Sequence, residues 1–392
     1  MKMKRLIVWA CAMLIALTPF RAFSEQIDMR SLALDTYQAL AGEGTIQDWI
    51  DGEITSDAGG QADNYVFSLY HAEKIHDVDY DFHDYAEALY RALKADDFAS
   101  PTTKQKSALA LIAVGGSAVL PDGVADDTIG KLGIMSYVYG LHLLNNGAES
   151  ELWTEEALVE KILSLRKQDG GWTITGNYGD TDVTAMCIQA LAYKDYGKEA
   201  NEAIDRAVSF LAGKQNKNAS YSSYGLENCE SCAQVLMALD SLGIDYKSDQ
   251  RFIKNGRTIL DAMLDFRMDD MRYRHKADGS FSEMATAQAL SAFIALDMDE
   301  RFYDFAQAVQ IEIDDTTANS LGVKHFILIG IGAFALAGIV FALTRKRGRI
   351  KQLVFVVLIA AAAAAATLLI NVQSADDYYG GSGRKQIGRA HV

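Results

Sequence analysis

Three eight-residue segments of this chain are near copies of one another, and their repetition constrains the fold more than any other feature. Residues 184–191 (TAMCIQAL), 232–239 (CAQVLMAL) and 286–293 (TAQALSAF) share a Thr or Cys, an alanine, and a mostly apolar run. Weaker copies occupy 62–71, 107–114 and 134–144. A period of about 50 residues in helical sequence indicates helix pairs that bury little alone and stack on their neighbours. The six segments are small and apolar nearly all round, as helices buried on both sides must be. Between them lie more amphipathic stretches: 80–94, 155–167, 199–214, 249–266 and 300–313, with 29–40 ahead of the first. In 199–214, Ala203, Ala207, Phe210 and Leu211 keep a helical spacing while Glu199, Glu202, Asp205 and Arg206 fall on other faces. With three prolines in the whole chain, little interrupts these helices. The expectation is an all-α domain with an inner ring of about six helices and an outer ring of similar number. Residues 115–131 are too broken for a full outer helix, so one outer position is expected to be irregular.

The sharpest copy opens within 168–192, QDGGWTITGNYGDTDVTAMCIQALA. Gly170 and Gly171 permit a sharp turn. Trp172 offers a large flat face and an N–H that needs a partner. Asp180 and Asp182 supply carboxylates to the unpaired N–H groups of the helix that follows. The polar loops ahead of the inner helices are expected to gather at one mouth of the ring. The candidates there are Trp172, Asn177, Tyr178, Asp180 and Asp182 from one loop, and Tyr221, Tyr224, Asn228 and Glu230 from the next. A third loop adds Tyr273, Arg274, His275 and Glu283. Aromatic and hydrogen-bonding groups around a concavity suit a flat, partly polar ligand. Taken singly, many of these residues would serve only as helix caps or loop pins.

The stretches GDTDVTAMCIQALA, YGLENCESCAQVLMALDSLGID and MATAQALSAFIAL resemble the repeats of the prenyltransferase and squalene-cyclase superfamily, whose units stack into an α/α toroid. Over 31–313 the chain is most similar to exported bacterial toroid proteins akin to the α domain of intrinsic factor and transcobalamin. That resemblance implies a binding shell for a corrinoid-like or other small ligand, or for a surface partner. In the vertebrate carriers a smaller β domain completes the corrinoid site.

The superfamily's enzymes imply an alternative. Asp180-Thr181-Asp182-Val183-Thr184-Ala185 resembles the Asp-x-Asp-Asp-Thr-Ala acid motif of class II terpene cyclases. On that reading Asp182 would be the catalytic acid, with Asp180 beside it. Val183, however, stands where the motif has its next aspartate. Prenyltransferase β subunits bind zinc through Asp, Cys and His, and neither an Asp-x-Cys pair nor a later His-Cys element occurs on the inner helices here. The thioester string of complement-type domains is also absent. The expectation is therefore a domain without catalytic or metal machinery, with a surface scaffold as a third reading.

Cys229-Glu230-Ser231-Cys232 has the spacing of a redox pair at a helix start, where a thiol pKa would fall. No βαβ context surrounds it, which leaves a local disulfide or two unpaired thiols. Cys187 reads as a small core residue.

The ends of the chain carry addresses. Residues 1–24 form a secretory signal, with Lys2, Lys4 and Arg5, an apolar core over 6–17, and Ala22 and Ser24 before a cut at Glu25. The segments 324–343 and 353–372 are dominated by apolar runs near the ~20 residues that span a bilayer. The loop 344–352 between them carries Arg345, Lys346, Arg347, Arg349 and Lys351, a pattern that stays in the cytoplasm. The domain 25–323 is thus expected outside the cell membrane, anchored by two helices, with 373–392 as an exterior tail. The string QIGRAHV at 386–392 is what a widely used short-read sequencing adapter encodes in one frame, so the natural chain is expected to continue past 379–383. Net charge is −15, and the acidic residues concentrate in the exterior domain, which argues against nucleic acid as a partner.

Overall fold

Small side chains decide which helices go inside, because only they let neighbours approach closely on both flanks. A computed structural model describes residues 27–313, apart from 299, 306, 307, 309, 310 and 312. The signal segment, both apolar runs, the basic loop and the tail lie outside the described residues. In chain order the helices are α1 (Met29–Ala41), α2 (Ile46–Trp49), α3 (Asp63–His76), α4 (His83–Ala95), α5 (Pro101–Gly115), α6 (Val124–Thr128) and α7 (Gly133–Asn145). They continue as α8 (Glu155–Ser164), α9 (Thr181–Leu191), α10 (Lys198–Lys214), α11 (Cys229–Ser241), α12 (Ile259–Leu264) and α13 (Glu283–Asp297). The second runs on as a π-helical turn, Ile50–Ile54.

The six repeat copies fall in α3, α5, α7, α9, α11 and α13. Each of these packs on the next, and α13 packs back on α3, so the inner ring closes. Outside it, α1 lies on α13, α4 on α5, α6 on α5 and α7, α8 on α7, α10 on α9 and α12 on α11. This is an α/α toroid. The difference between the layers follows from sequence. In α10, Ala200, Ala203, Ala207, Phe210 and Leu211 face inward on one stripe, whereas α11 is buried from Cys229 through Leu239 without a break. Among the described residues, no helix is long and apolar enough to cross a membrane.

Three outer positions depart from regular helix. Residues 115–131 hold only a 3₁₀ turn (Ser117–Val119) and the short α6, as expected from their composition. The stretch 249–266, expected as one helix, is not. After a 3₁₀ turn at Gln250–Phe252, Asn255 and Gly256 both take positive φ (53° and 77°), and Lys254 pairs with Arg257 across the reversal. Helix restarts only at α12, where Thr258 and Asp261 form a reciprocal capping box. The stretch 300–313, also expected as a helix, carries none among its described residues.

That last segment instead closes one end of the ring. Phe305 stacks on Phe67 (5.7 Å) and His71 (5.5 Å), and Tyr303 packs on His142 at 4.4 Å. Nε2 of His71 donates to the Phe302 carbonyl at 2.8 Å. The Asn146 side chain donates to the Tyr303 carbonyl (2.9 Å) and accepts from the Phe305 N–H (2.6 Å). Phe302–Phe305 thus plugs the mouth at which the inner helices end.

Candidate functional site at the opposite mouth

The mouth at which the inner helices begin is built from one repeated device. The Trp172 N–H donates to Thr184 Oγ1 (2.9 Å), and the Trp172 carbonyl accepts from the Asp180 N–H (2.7 Å). Two repeats on, the Tyr273 N–H donates to Thr286 Oγ1 (3.0 Å), and its carbonyl accepts from the Ser282 N–H (2.9 Å). In the repeat between them, the Tyr221 carbonyl accepts from the Asn228 N–H (3.3 Å), and Cys232 stands where the others have threonine. Two of the aromatic side chains reach outward to the preceding helix. Trp172 Nε1 donates to the Ile162 carbonyl (2.6 Å), and Tyr221 OH donates to the Leu211 carbonyl (3.0 Å). All three aromatics are fully buried. Trp172 and Tyr221 fasten their turns to the preceding helix, so both sit in the wall and not on the rim, while the Tyr273 hydroxyl is buried without a hydrogen-bond partner among the described residues.

Both glycines of the turn are required. Gly170 has φ +96°, and a Cβ on Gly171 would stand 2.7 Å from Thr184 Oγ1 and 3.0 Å from the Cα of Gly179. Among the described residues the cysteines, Cys187, Cys229 and Cys232, are free and buried. Burial pushes the Cys232 thiol up to about 12 and the Cys229 thiol well above its ordinary value, so the helix start does not activate them.

Two further candidates are caps. Asp180 Oδ1 accepts from the N–H groups of Asp182 (3.1 Å) and Val183 (3.3 Å), while Oδ2 accepts from Ser223 Oγ (2.9 Å) and the Tyr224 N–H (3.0 Å). It therefore both caps α9 and clamps a two-stranded hairpin, β1 (Ser222–Ser223) and β2 (Leu226–Glu227), that sequence reading did not anticipate. Asn228 caps α11, its Oδ1 accepting from the Ser231 N–H at 2.7 Å. Arg274 donates to the Ala277 carbonyl (2.9 Å) and pins its own loop. Glu283 lies exposed in the first turn of α13, and Asn177 is exposed on the loop before α9.

Asp182 differs from these. Its Oδ1 is buried without a hydrogen-bond partner, and so is the hydroxyl of its neighbour Ser231. Burial raises the Asp182 carboxyl to about 7, with Asp180 and Glu230 adding to the rise. The hydroxyls of Ser231 and Ser223 are near enough to offset it in part, though neither completes a hydrogen bond to it. Beside it, Glu230 is buried and its Oε2 accepts from His275 Nδ1 at 2.8 Å. The loops around it carry exposed apolar groups: Tyr178 (76% exposed) and Ile174 (65%) on the loop before α9, and Tyr224 (59%) on the hairpin that Asp180 clamps. Tyr224 sits at φ +47° with its OH 3.1 Å from Thr173 Oγ1. The structure therefore groups Asp182, Glu230, His275 and Tyr224, adds Ser231 and Ser223, and leaves Tyr178 exposed on the loop before α9. No periodicity marks those serines. The Tyr224-Gly225 turn was the available signal for the hairpin.

The interior behind this mouth is polar. Gln189 donates to Gln234 Oε1 (2.9 Å), and Gln234 donates to Gln288 Oε1 (3.1 Å), linking α9, α11 and α13. Beyond lies the plug. A cavity of about 570 Å³ opens at the plugged mouth, lined in part by Asp240, Ser241, Met298 and Arg301. Among the described residues, no three His, Cys, Asp or Glu side chains converge to hold a metal ion.

No family model matches this chain, and no curated protein matches it. Its structure is similar to that of ent-copalyl diphosphate synthase from Streptomyces platensis at a TM-score of 0.41 and 17% identity, over 63% of this chain and 50% of that one. The chain thus spans half the length of that synthase. The closed ring of inner helices, and not this likeness, establishes the toroid.

Proposed function

We propose that the chain is an extracytoplasmic binding module anchored at the cell membrane, which holds a flat, partly polar small molecule against the open mouth. The signal segment and the two apolar runs support the location. One observation carries the binding reading: the buried oxygens of Asp182 and Ser231 stand unpartnered at the mouth whose loops carry exposed Tyr178 and Tyr224. Unmet hydrogen-bonding groups at an aromatic rim are what a small-molecule site presents. Leaving them unmet costs about 1–3 kcal/mol each, which a ligand would recover. A corrinoid-like molecule is the first ligand class to test, and part of a surface partner protein would use the same rim.

The enzyme alternative is less well supported. A carboxyl near 7 is a usable general acid, yet protonating an alkene demands a far stronger one above an apolar chamber. Here the glutamine ladder crosses the interior, and aromatic side chains plug its far end. The test is calorimetric titration of the full chain in detergent with cobalamin and related corrinoids. Saturable heat is expected, weakened at least tenfold by Asp182→Asn combined with Ser231→Ala. Flat titrations would remove the corrinoid class. Turnover of an isoprenoid substrate, abolished by Asp182→Asn, would establish the enzyme instead.

A further inference from the structure

We propose that the cavity at the plugged mouth binds a small organic cation carrying a primary amine. The inference is independent of the rim, since it rests on other residues at the other end of the ring.

Asp240, in the last turn of α11, faces this cavity uncommitted: no hydrogen bond or ion pair reaches its carboxyl among the described residues. The cations on the same lining have partners other than Asp240. Lys74 pairs with Glu300 at 3.1 Å, and Arg301 Nε donates to the Ala192 carbonyl at 3.0 Å. Of the remaining groups around it, Asp304 accepts from Tyr193 OH at 3.2 Å, and Tyr70 offers an aromatic face that already carries the Lys74 ammonium at 5.5 Å. A carboxylate drawn from water without a partner is costly, and burial accordingly raises Asp240 to about 7. α3 and α11 both end near this cavity, so their partial negative charge adds to that of Asp240, Glu300 and Asp304 against Lys74 and Arg301 on the same lining. At about 570 Å³ the space has the size of a small-molecule site, of order 300–1,000 Å³. An ammonium would pair with Asp240 and keep that group ionised.

The test is calorimetric titration of 1,4-diaminobutane into the full chain in detergent micelles at pH 8 and pH 6. Saturable binding is expected at pH 8 and should be about tenfold weaker at pH 6, as Asp240 takes up its proton. The neutral isostere 1,4-butanediol should give no saturable heat. Asp240→Asn should abolish amine binding at both pH values. Met298→Lys, which sets an ammonium on the cavity wall and leaves Asp240 in place, should weaken it as an internal competitor. Thermal melts within a few degrees of the parent show that both variants are folded. No saturable heat at pH 8, or heat unchanged in folded Asp240→Asn, overturns the proposal.

Discussion

The two mouths of the ring are built from the same six helices and have opposite characters. At the open mouth the helix starts are capped locally by Asp180, Asn228 and Ser282, and a hairpin and loop carry exposed Tyr178, Ile174 and Tyr224. At the plugged mouth the helix ends are covered by a segment from far along the chain, gripped by His71, His142 and Asn146. Each mouth holds one carboxyl raised to about 7, Asp182 and Asp240, but only the plugged mouth adds buried histidines, lowered to about 4 at His71 and about 3 at His142. Local capping leaves an open rim at one end, whereas non-local packing fills the centre of the other and leaves a cavity only at its side.

The largest effects should come from removing one aromatic at each mouth. Trp172→Ala and Phe305→Ala are each expected to cost about 3–5 kcal/mol in denaturant unfolding. A loss under 1 kcal/mol for Phe305→Ala would show that the plug is only laid against the surface.

The pH dependence sharpens the contrast. The plug histidines have folded pKa values below the ordinary 6.5, so their neutral forms belong to the fold. Their contribution is present above about 6.5 and lost as pH falls toward 4 and 3. Asp182 has a folded pKa raised from 3.8, so its contribution is present at low pH and lost as pH rises through about 7. His142→Phe should flatten the limb that falls below pH 6.5, and Asp182→Asn should flatten the opposing limb that falls as pH rises from about 4 to about 7. Each change is on the order of 2–4 kcal/mol at the extreme of its limb. An unchanged profile in either variant would contradict the burial described for that residue.

Smaller effects test the repeat. Because Thr184, Cys232 and Thr286 occupy equivalent places beside aromatic turns, Cys232→Thr should be tolerated better than Cys232→Val by about 1 kcal/mol, the worth of a hydrogen bond to the turn. The reverse order would mean that Cys232 is simply apolar filling. Smallest of all, Glu230→Gln should cost under about 1 kcal/mol of stability, because its partner His275 is partly solvent-exposed.

The layers, the ring and the position of the open mouth were legible because they rest on local signals. The Thr/Cys-Ala repeats, the Gly170-Gly171 turn, and the caps at Asp180 and Asn228 each act within a dozen residues of themselves. The interruption at Asn255-Gly256 was also local, and that dipeptide is a turn signal in its own right. The plug was not legible. Phe302, Tyr303 and Phe305 read as one face of an amphipathic helix, and only the closed ring supplies the hollow that draws them in. Ser231 was equally hidden, because its importance lies in the partner it lacks.

The most direct measurement compares one mild lesion at each mouth. Cobalamin would be titrated calorimetrically into the full chain, the Asp182→Asn/Ser231→Ala variant and Asp240→Asn. Saturable binding that is lost in the first variant and unchanged in the second is the predicted result. Binding that survives the rim double variant, or that depends on Asp240, would contradict the assignment of the ligand to the open mouth.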